Sequence, residues 1–262
     1  MKRLVIVVLA SILSMTVFAE GYQVNLLSTK QTGMGHVGTG MKLGAESMHF
    51  NPAGLVFLRT NMDFSLGISA IMAKAKYSYD GYSAKTDNPV GTPLYAYAGF
   101  KIYDNLAAGI SLTTPYGNSL KWPKNWAGAG LIQDISLKSY VIQPTLSYKI
   151  TDRLSIGVGL QLAWGNVNLS RALMGASDLQ GIGTKFESLL PLLAGVPSDV
   201  IPDADKQLMQ EMVTLMKNTE VPPAYARLEG NAHMRVGFNV GIMYDVCDKV
   251  TIGLSYRSKI KM

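Results

Sequence analysis

Apolar and polar residues alternate with a period of two along much of the chain after residue 60. The clearest run lies between Leu154 and Trp164, where every even position is apolar and the odd positions hold serine, glycine, glutamine or alanine. A period of two places successive side chains on opposite faces, so this run predicts a strand with one apolar face and one small or polar face. Its 11 residues match the roughly 9–11 that a tilted strand needs to cross hydrocarbon.

Six further runs alternate in the same way, so the sequence predicts seven strands. A soluble sandwich would also alternate, but its outer face would carry lysine, glutamate and threonine. Here that face is rich in glycine, serine, asparagine and glutamine, which suit the interior of a barrel whose outside meets lipid. The predicted fold class is therefore all-β, a transmembrane antiparallel β-barrel. The six further runs cover residues 62–70, 94–102, 106–112, 142–150, 234–244 and 250–259.

The connections between these runs alternate between short and long. Tight polar turns at 104–105, 151–153 and 248–249 are interleaved with long connections at 76–91, 117–134 and 172–225. Outer-membrane barrels have short periplasmic turns and long extracellular loops. We therefore expect residues 61–262 to form the barrel portion, with 172–225 as an extracellular loop.

The longest connection predicts two helices of its own. Thr184 and Glu187 fit a capping box that would begin a helix ending near Gly195. A second helix is expected over residues 203–217. Both carry apolar residues, including Phe186, Leu189 and Met212, which need cover outside a membrane. Either the helices pack on each other and on the barrel rim, or they form an external apolar groove in which flexible methionines accept varied ligands.

The N-terminus predicts export. Lys2 and Arg3 precede an apolar stretch over residues 4–18, and small residues follow near Ala19. This pattern is typical of a secretory signal peptide over residues 1–19. The alternative, a membrane anchor, fits poorly because the apolar core is short for a spanning helix. No later segment is apolar for long enough to form a transmembrane helix.

Composition excludes several other classes. One cysteine in 262 residues excludes a disulfide scaffold. The net charge of +6 contains no run of lysine and arginine, so we expect no nucleic-acid partner. The three histidines have no metal-ligand spacing, and no nucleophile elbow or paired carboxylates appear. We therefore expect no enzyme activity, no cofactor and no metal site.

Arg171 is the strongest candidate for ligand recognition. If the inward, odd face of the fifth strand continues beyond Gly165, it presents Val167, Leu169 and then Arg171. An apolar cavity with a single guanidinium suits an amphipathic acid, with its tail on the aliphatic side chains and its carboxylate on the arginine fork. Alternatively, Arg171 is a solvated rim residue, or a bulge near Asn166 reverses the parity.

Several segments together resemble the FadL/TodX-type outer-membrane transporters of long-chain fatty acids and other hydrophobic compounds. The likeness runs from about residue 20 to the end and is interrupted by the helical loop. The five segments occur in the family's order, which makes the resemblance specific. They are Gly21 to Asn25 with the glycine-rich run to Gly40; Asn51-Pro52-Ala53; Thr114-Pro115-Tyr116-Gly117; Trp122 with Trp126-Ala127-Gly128; and Leu254 to Ser258.

The resemblance implies a 14-stranded barrel in the bacterial outer membrane, closed by an N-terminal hatch over residues 20–60. In this family the external helical loop captures the substrate, an inner site receives it, and it leaves sideways into outer-membrane lipid at a kinked third strand. Carried over, Arg171 binds the carboxylate, and Pro115, Tyr116 and Gly117 form the kink. Asn51, Pro52 and Ala53 form the hatch signature, with Asn51 anchoring the hatch through side-chain hydrogen bonds. The implied partner is a long-chain fatty acid or another hydrophobic molecule, and the full-length protein is expected to be a monomer.

One feature departs from the family pattern. Seven strands are about half of the family barrel, and the sequence stops at Met262, within or just after an alternating run. An open sheet edge in lipid leaves backbone groups without hydrogen bonds, so we expect the chain to be a truncated form. The alternative function is a structural or adhesive surface barrel without transport.

Overall fold

The computed structural model describes residues 23–220 and 224–261 of the chain. The predicted signal peptide, residues 1–19, and the first residues of the Gly21 to Asn25 motif lie outside these ranges. Within them, no helix is both long and apolar enough to span a bilayer.

The described residues form one large antiparallel sheet and one separate hairpin. The sheet has the order β1-β4-β5-β7-β8-β9-β10. β6 pairs with residues 134–138 of β7, and β2 and β3 form the hairpin. All seven predicted strands are present and lie along this path, so the all-β class is confirmed. The strands are β1 (Met62–Ile68), β2 (Lys76–Tyr79), β3 (Tyr82–Lys85), β4 (Leu94–Tyr103), β5 (Leu106–Thr113), β6 (Gly117–Lys121), β7 (Asp134–Thr151), β8 (Leu154–Ala172), β9 (Tyr225–Cys247) and β10 (Val250–Arg257).

Three strands are longer than the alternation predicts. β7 and β8 keep one register from the Ile142–Leu162 pair to the Asp134–Ser170 pair, and β9 begins at Tyr225. The predicted loop over residues 172–225 thus begins at the last residue of β8, Ala172, and ends at the first residue of β9. Alternation is imposed by hydrocarbon on one side of the sheet, so strand pairing that continues beyond the membrane carries no such pattern.

The outer face of the sheet is an exposed apolar band. Even-numbered side chains of the central strands point outward and remain accessible, as at Leu146, Val158 and Ile242. A soluble protein rarely exposes so large an apolar patch, whereas a barrel presents one to lipid. We use "turn end" for the edge with the turns at 104–105, 152–153 and 248–249, and "loop end" for the opposite edge.

An inner segment, residues 23–60, packs against the inner face of the sheet. It contains α1 (Thr29–Gly33), a 3-10 turn (Gly44–Glu46), α2 (Ser47–Phe50) and a second 3-10 turn (Pro52–Phe57). Met48, Leu55 and Val56 are fully buried against Tyr97 and Ala107 of the wall. The segment therefore has a hydrophobic core in common with the sheet.

Glycines of the wall allow the main chain of the inner segment to approach closely. A Cβ atom at Gly157 would overlap the carbonyl of Pro52 and the amide of Ala53. One at Gly241 would overlap the Asn51 side chain, and one at Gly253 would overlap the carbonyl of Thr39. The small residues of the inner face are thus required by contact with protein.

Polar side chains of the wall bind the main chain of the inner segment. The carbonyl of Ala53 accepts hydrogen bonds from Ser147 Oγ (3.1 Å) and Ser155 Oγ (2.9 Å). Gln143 Nε2 donates to the carbonyl of Met48 at 2.6 Å. The wall therefore supplies partners for carbonyls that α2 and the second 3-10 turn leave free, as buried polar groups require.

The long loop contains three helices, and the predicted capping box is wrong. The helices are α3 (Ala176–Glu187), α4 (Leu190–Ala194) and α5 (Asp203–Lys217). Thr184 lies inside α3, where its hydroxyl donates to the carbonyl of Gln180 (2.9 Å). Asp178 instead accepts a hydrogen bond from the amide of Gly175 at the true start (3.2 Å). Gly195 does end α4, and α5 has the predicted bounds.

We predict that Gly157→Ala weakens the folded barrel because the added methyl group meets the main chain of the inner segment. Overpacking of this kind costs about 1–3 kcal/mol. The thermal midpoint of the protein extracted from outer membranes should fall, as measured by the heat-dependent shift of its band on a gel. Gly91→Ala is the control, because a Cβ there lies 3.5 Å from Ile71. Equal midpoints for the two variants would contradict this account of the wall glycines.

Candidate functional site

The barrel wall is interrupted between β5 and β6. β5 pairs with β4 on one side and with β7 on the other. β6 pairs with β7, and no other described strand pairs with it. The last contacts to β4 are made by Thr114, which exchanges hydrogen bonds with Leu94 (2.9 and 3.2 Å). Pro115 follows and has no amide hydrogen, so it cannot continue the ladder.

The start of the inner segment occupies the break. The amide of Val24 donates to the carbonyl of Pro115 at 2.8 Å, and Gln23 forms an isolated antiparallel bridge with Tyr116. The amide of Tyr116 donates to Ser139 Oγ at 3.1 Å. The backbone groups of Pro115 and Tyr116 therefore have hydrogen-bond partners, although no strand pairing joins β4 to β6 among the described residues.

A cavity of about 280 Å³ opens at this break. We call it the wall cavity. Leu137 and Ser139 from the inner face of β7 contribute to it, and so do Lys138 and Tyr140 from the outer face. The wall cavity is therefore lined by residues of both faces of β7, at the place where the wall is interrupted. The other lining residues include Val24, Ile71, Pro93, Leu94, Thr114, Tyr116, Gly117 and Asn118.

The predicted ligand residues of β8 lie on the same inner face. Val167 stands opposite Leu137 of β7, and Leu169 stands opposite Ile135. The irregularity near Gly165 belongs to the pairing with β9, and against β7 the pairing runs evenly through Asn166, so the parity of β8 is kept. Arg171 is exposed at the loop end and forms no salt bridge with any described residue. Aliphatic side chains thus lead from Arg171 toward the wall cavity.

The loop helices pack on each other and leave other apolar residues exposed. Gly183 of α3 lies against Met216 and Lys217 of α5, and Lys217 forms a 2.6 Å salt bridge with Glu187. Val213 of α5 is buried. The predicted groove residues are exposed and do not line the wall cavity: Phe186 by 53%, Leu189 by 48% and Met212 by 48%.

Asn51 is buried where the inner segment meets the wall. Its Nδ2 donates to the carbonyls of Thr39 (2.8 Å) and of Ile242 on β9 (3.1 Å). Its Oδ1 accepts from the amide of Ala53 at 3.1 Å. Pro52 and Ala53 are also buried and lie over Gly157. The Asn51-Pro52-Ala53 triplet is therefore one of the places where the segment is attached to the sheet.

Arg257 is an inward-facing residue for which the sequence analysis predicted no role. It stands opposite Asn239 of β9, and its Nη2 donates to the carbonyl of His49. Tyr97 and Tyr116 are close enough to act on it electrostatically. Burial lowers the pKa of His49 well below its usual range, and the charge of Arg257 lowers it further. The available signal was that Arg257 occupies an odd position in the last alternating run.

A family model described as outer membrane protein transport protein (OMPP1/FadL/TodX) matches residues 10–262. The chain belongs to this family. The predicted resemblance is therefore confirmed, and with it the assignment to a family of outer-membrane transport proteins rather than enzymes.

Curated relatives are distant but match along nearly the whole chain. The long-chain fatty acid transport protein of Salmonella typhi is 25% identical over 261 residues, which is 97% of this chain and 54% of the relative. The Escherichia coli K12 protein of the same name is 24% identical over 97% of this chain and 55% of its own length. The chain thus spans about half the length of these relatives.

Solved structures confirm the fold. A Pseudomonas aeruginosa FadL homologue superposes with a TM-score of 0.61 at 19% identity, covering 92% of this chain and 53% of that one. The Pseudomonas putida toluene transporter TodX gives 0.56 at 17% identity, covering 92% and 55%. The sheet described here accordingly superposes on about half of each of these solved chains.

Proposed function

We propose that this chain supplies the N-terminal part of a passive outer-membrane transporter for long-chain fatty acids or other hydrophobic compounds. The wall cavity at the Pro115 break is the observation that carries the proposal. The names of the relatives, which include fatty acid and toluene transporters, support the substrate class. In this proposal residues 1–19 are a cleaved signal peptide, and the full-length protein acts as a monomer without a cofactor.

Capture begins at the exposed apolar side chains of the helical loop. Phe186, Leu189 and Met212 present apolar surface to solvent, and covering such surface with a ligand tail is favourable by about 25 cal/mol per Å². Methionine adapts to differently shaped ligands. This arrangement suits a substrate class defined by hydrophobicity more than by shape.

The inner face of β8 receives the ligand next. The aliphatic chain lies along Val167 and Leu169, and the carboxylate binds the guanidinium of Arg171. An arginine fork matches a carboxylate with two parallel hydrogen bonds. Arg171 then acts as the selector for acids at the loop end, while neutral hydrocarbons would bind by the apolar contacts alone.

The inner segment acts as a hatch that closes the axial route. Asn51 and Ala53 attach it to the wall, and on the turn-end side Lys42 forms a 2.6 Å salt bridge with Asp245 of β9. A ligand above the hatch therefore has the wall cavity beside it and packed protein beneath it. Sideways exit between β4 and β6, past Pro115, Tyr116 and Gly117, delivers it into outer-membrane lipid.

Arg171→Met should weaken binding of palmitate about tenfold and leave binding of methyl palmitate nearly unchanged. A hydrogen bond to a charged group contributes about 1.5–3 kcal/mol, and the ester has no charge for Arg171 to bind. Ligand titration of the protein purified from outer membranes measures both constants. Equal losses for the two ligands would remove Arg171 as the carboxylate partner. A structural or adhesive barrel would show no saturable binding of either ligand.

Replacing Pro115 by valine, together with Gly117→Val, should slow uptake of labelled palmitate several-fold while leaving its binding intact. Valine at 115 restores an amide donor and both changes favour a regular strand, which would narrow the opening beside β4. The single change Gly130→Val is the control, since a Cβ at that loop position meets nothing within 4 Å. Uptake at the unmodified rate by the double variant would contradict exit at this break.

A further inference from the structure

We propose that Arg257 is a second carboxylate-binding residue, placed inside the barrel directly above the inner segment. This inference rests on the proposed transport of hydrophobic acids and deepens it. It assigns the inner end of the pathway a charged group for the acid, separate from Arg171 at the loop end.

The fold uses only part of the hydrogen-bonding capacity of the Arg257 side chain. A guanidinium has five N–H donors, and the recorded hydrogen bond joins Nη2 to the carbonyl of His49. Its Nε is shielded from solvent and has no hydrogen-bond partner among the described residues. No carboxylate of residues 23–220 or 224–261 forms a salt bridge with it. Within the part of the chain that the structure describes, the guanidinium thus has no ionic partner, and its Nε donor is unused.

Glu46 is a second buried charged residue in the same lumen, and unlike Arg257 it is paired with other side chains of the chain. Glu46 receives hydrogen bonds from the hydroxyls of Ser28 and Ser65, and Lys30 Nζ lies 3.6 Å from its carboxylate. Buried charges are normally paired in this way, because removing an isolated charge from water is costly. Arg257 departs from the rule, and an anionic ligand group would supply the missing partner.

The contact with His49 does not itself explain an arginine at this position. Asn239 Nδ2 already donates to the same carbonyl at 3.1 Å and to that of Met48 at 3.3 Å. The peptide oxygen is thus satisfied without Arg257. A carboxylate is also a better acceptor for a guanidinium than a neutral carbonyl, since it carries a negative charge and can accept two parallel N–H···O hydrogen bonds from the arginine fork.

The surroundings of Arg257 connect it to the exit. Tyr116 lines the wall cavity and lies within electrostatic range of the guanidinium, as does Tyr97 on the inner face of β4. An acid whose carboxylate binds Arg257 can therefore extend its apolar tail toward the opening. Movement from Arg171 to Arg257 would keep the charged end paired while the tail approaches the membrane.

The test compares palmitate with methyl palmitate on Arg257→Met, a change that keeps length and apolar volume but removes the charge. The protein is purified from outer membranes, and folding is checked by the heat-dependent gel shift. We expect tenfold or greater loss of palmitate affinity, little change for the ester, and partial recovery in Arg257→Lys. Arg153→Met is the control, because Arg153 is exposed in the turn before β8.

Three other results would overturn the assignment. Unchanged palmitate affinity in a folded Arg257→Met variant, with normal binding by the unsubstituted protein, would refute the role of Arg257 and leave the transport proposal standing. Absence of saturable palmitate binding by the unsubstituted protein would refute both. Equal losses for acid and ester would show that Arg257 supports the shape of the lumen rather than the carboxylate.

Discussion

The close approach of the inner segment's main chain to the barrel wall is the constraint on which the rest of the structure depends. Gly157, Gly241 and Gly253 leave space for backbone atoms that any side chain would displace. Ser147, Ser155 and Gln143 then bind the carbonyls brought into that space. Close contact and hydrogen bonding, together with the hydrophobic core around Met48 and Leu55, fix the segment against the wall.

In the proposed function, this attachment determines where a ligand can go. The segment fills the lumen beneath Val167 and Leu169, and its first described residues bind the carbonyl of Pro115 at the wall. The segment that we propose as the hatch therefore also binds the edge of the break between β4 and β6. An interrupted strand in the hydrocarbon would leave backbone groups unpaired, and Val24 and Ser139 supply the hydrogen bonds that compensate for it.

The sequence predicted the strands well because hydrocarbon imposes a strict pattern. Every run of alternation corresponds to a strand of the main sheet, and the tight turns fall where polar residues interrupt the runs. β6 and the β2–β3 hairpin were assigned to connections, because outside the membrane both faces of a strand can be polar. The sequence correctly predicts that the small residues face inward. Their small size, however, is required by contact with the inner segment, which no local pattern reveals.

The sequence predicted the residues of the candidate site less completely than it predicted the strands. The inward positions of Val167 and Leu169 follow from the alternation of β8. The kink at Pro115 is implied by the family resemblance. Arg257 is visible in the sequence as an inward cation, but that it forms no salt bridge with any carboxylate of the described residues is a three-dimensional property. Thr184 shows the opposite error, since a local capping pattern matched by chance inside a helix that begins earlier, at Ala176.

Photo-crosslinking of the ligand in native outer membranes tests the central claim most directly. A palmitate analogue with a diazirine near its apolar end would be irradiated during uptake, and its adducts mapped by mass spectrometry. The account predicts adducts on residues of the wall cavity, chiefly Tyr116, Leu137 and Leu94. Adducts confined to Phe57 and Lys42, on the turn-end side of the inner segment, would show that ligands cross along the barrel axis and would contradict sideways exit.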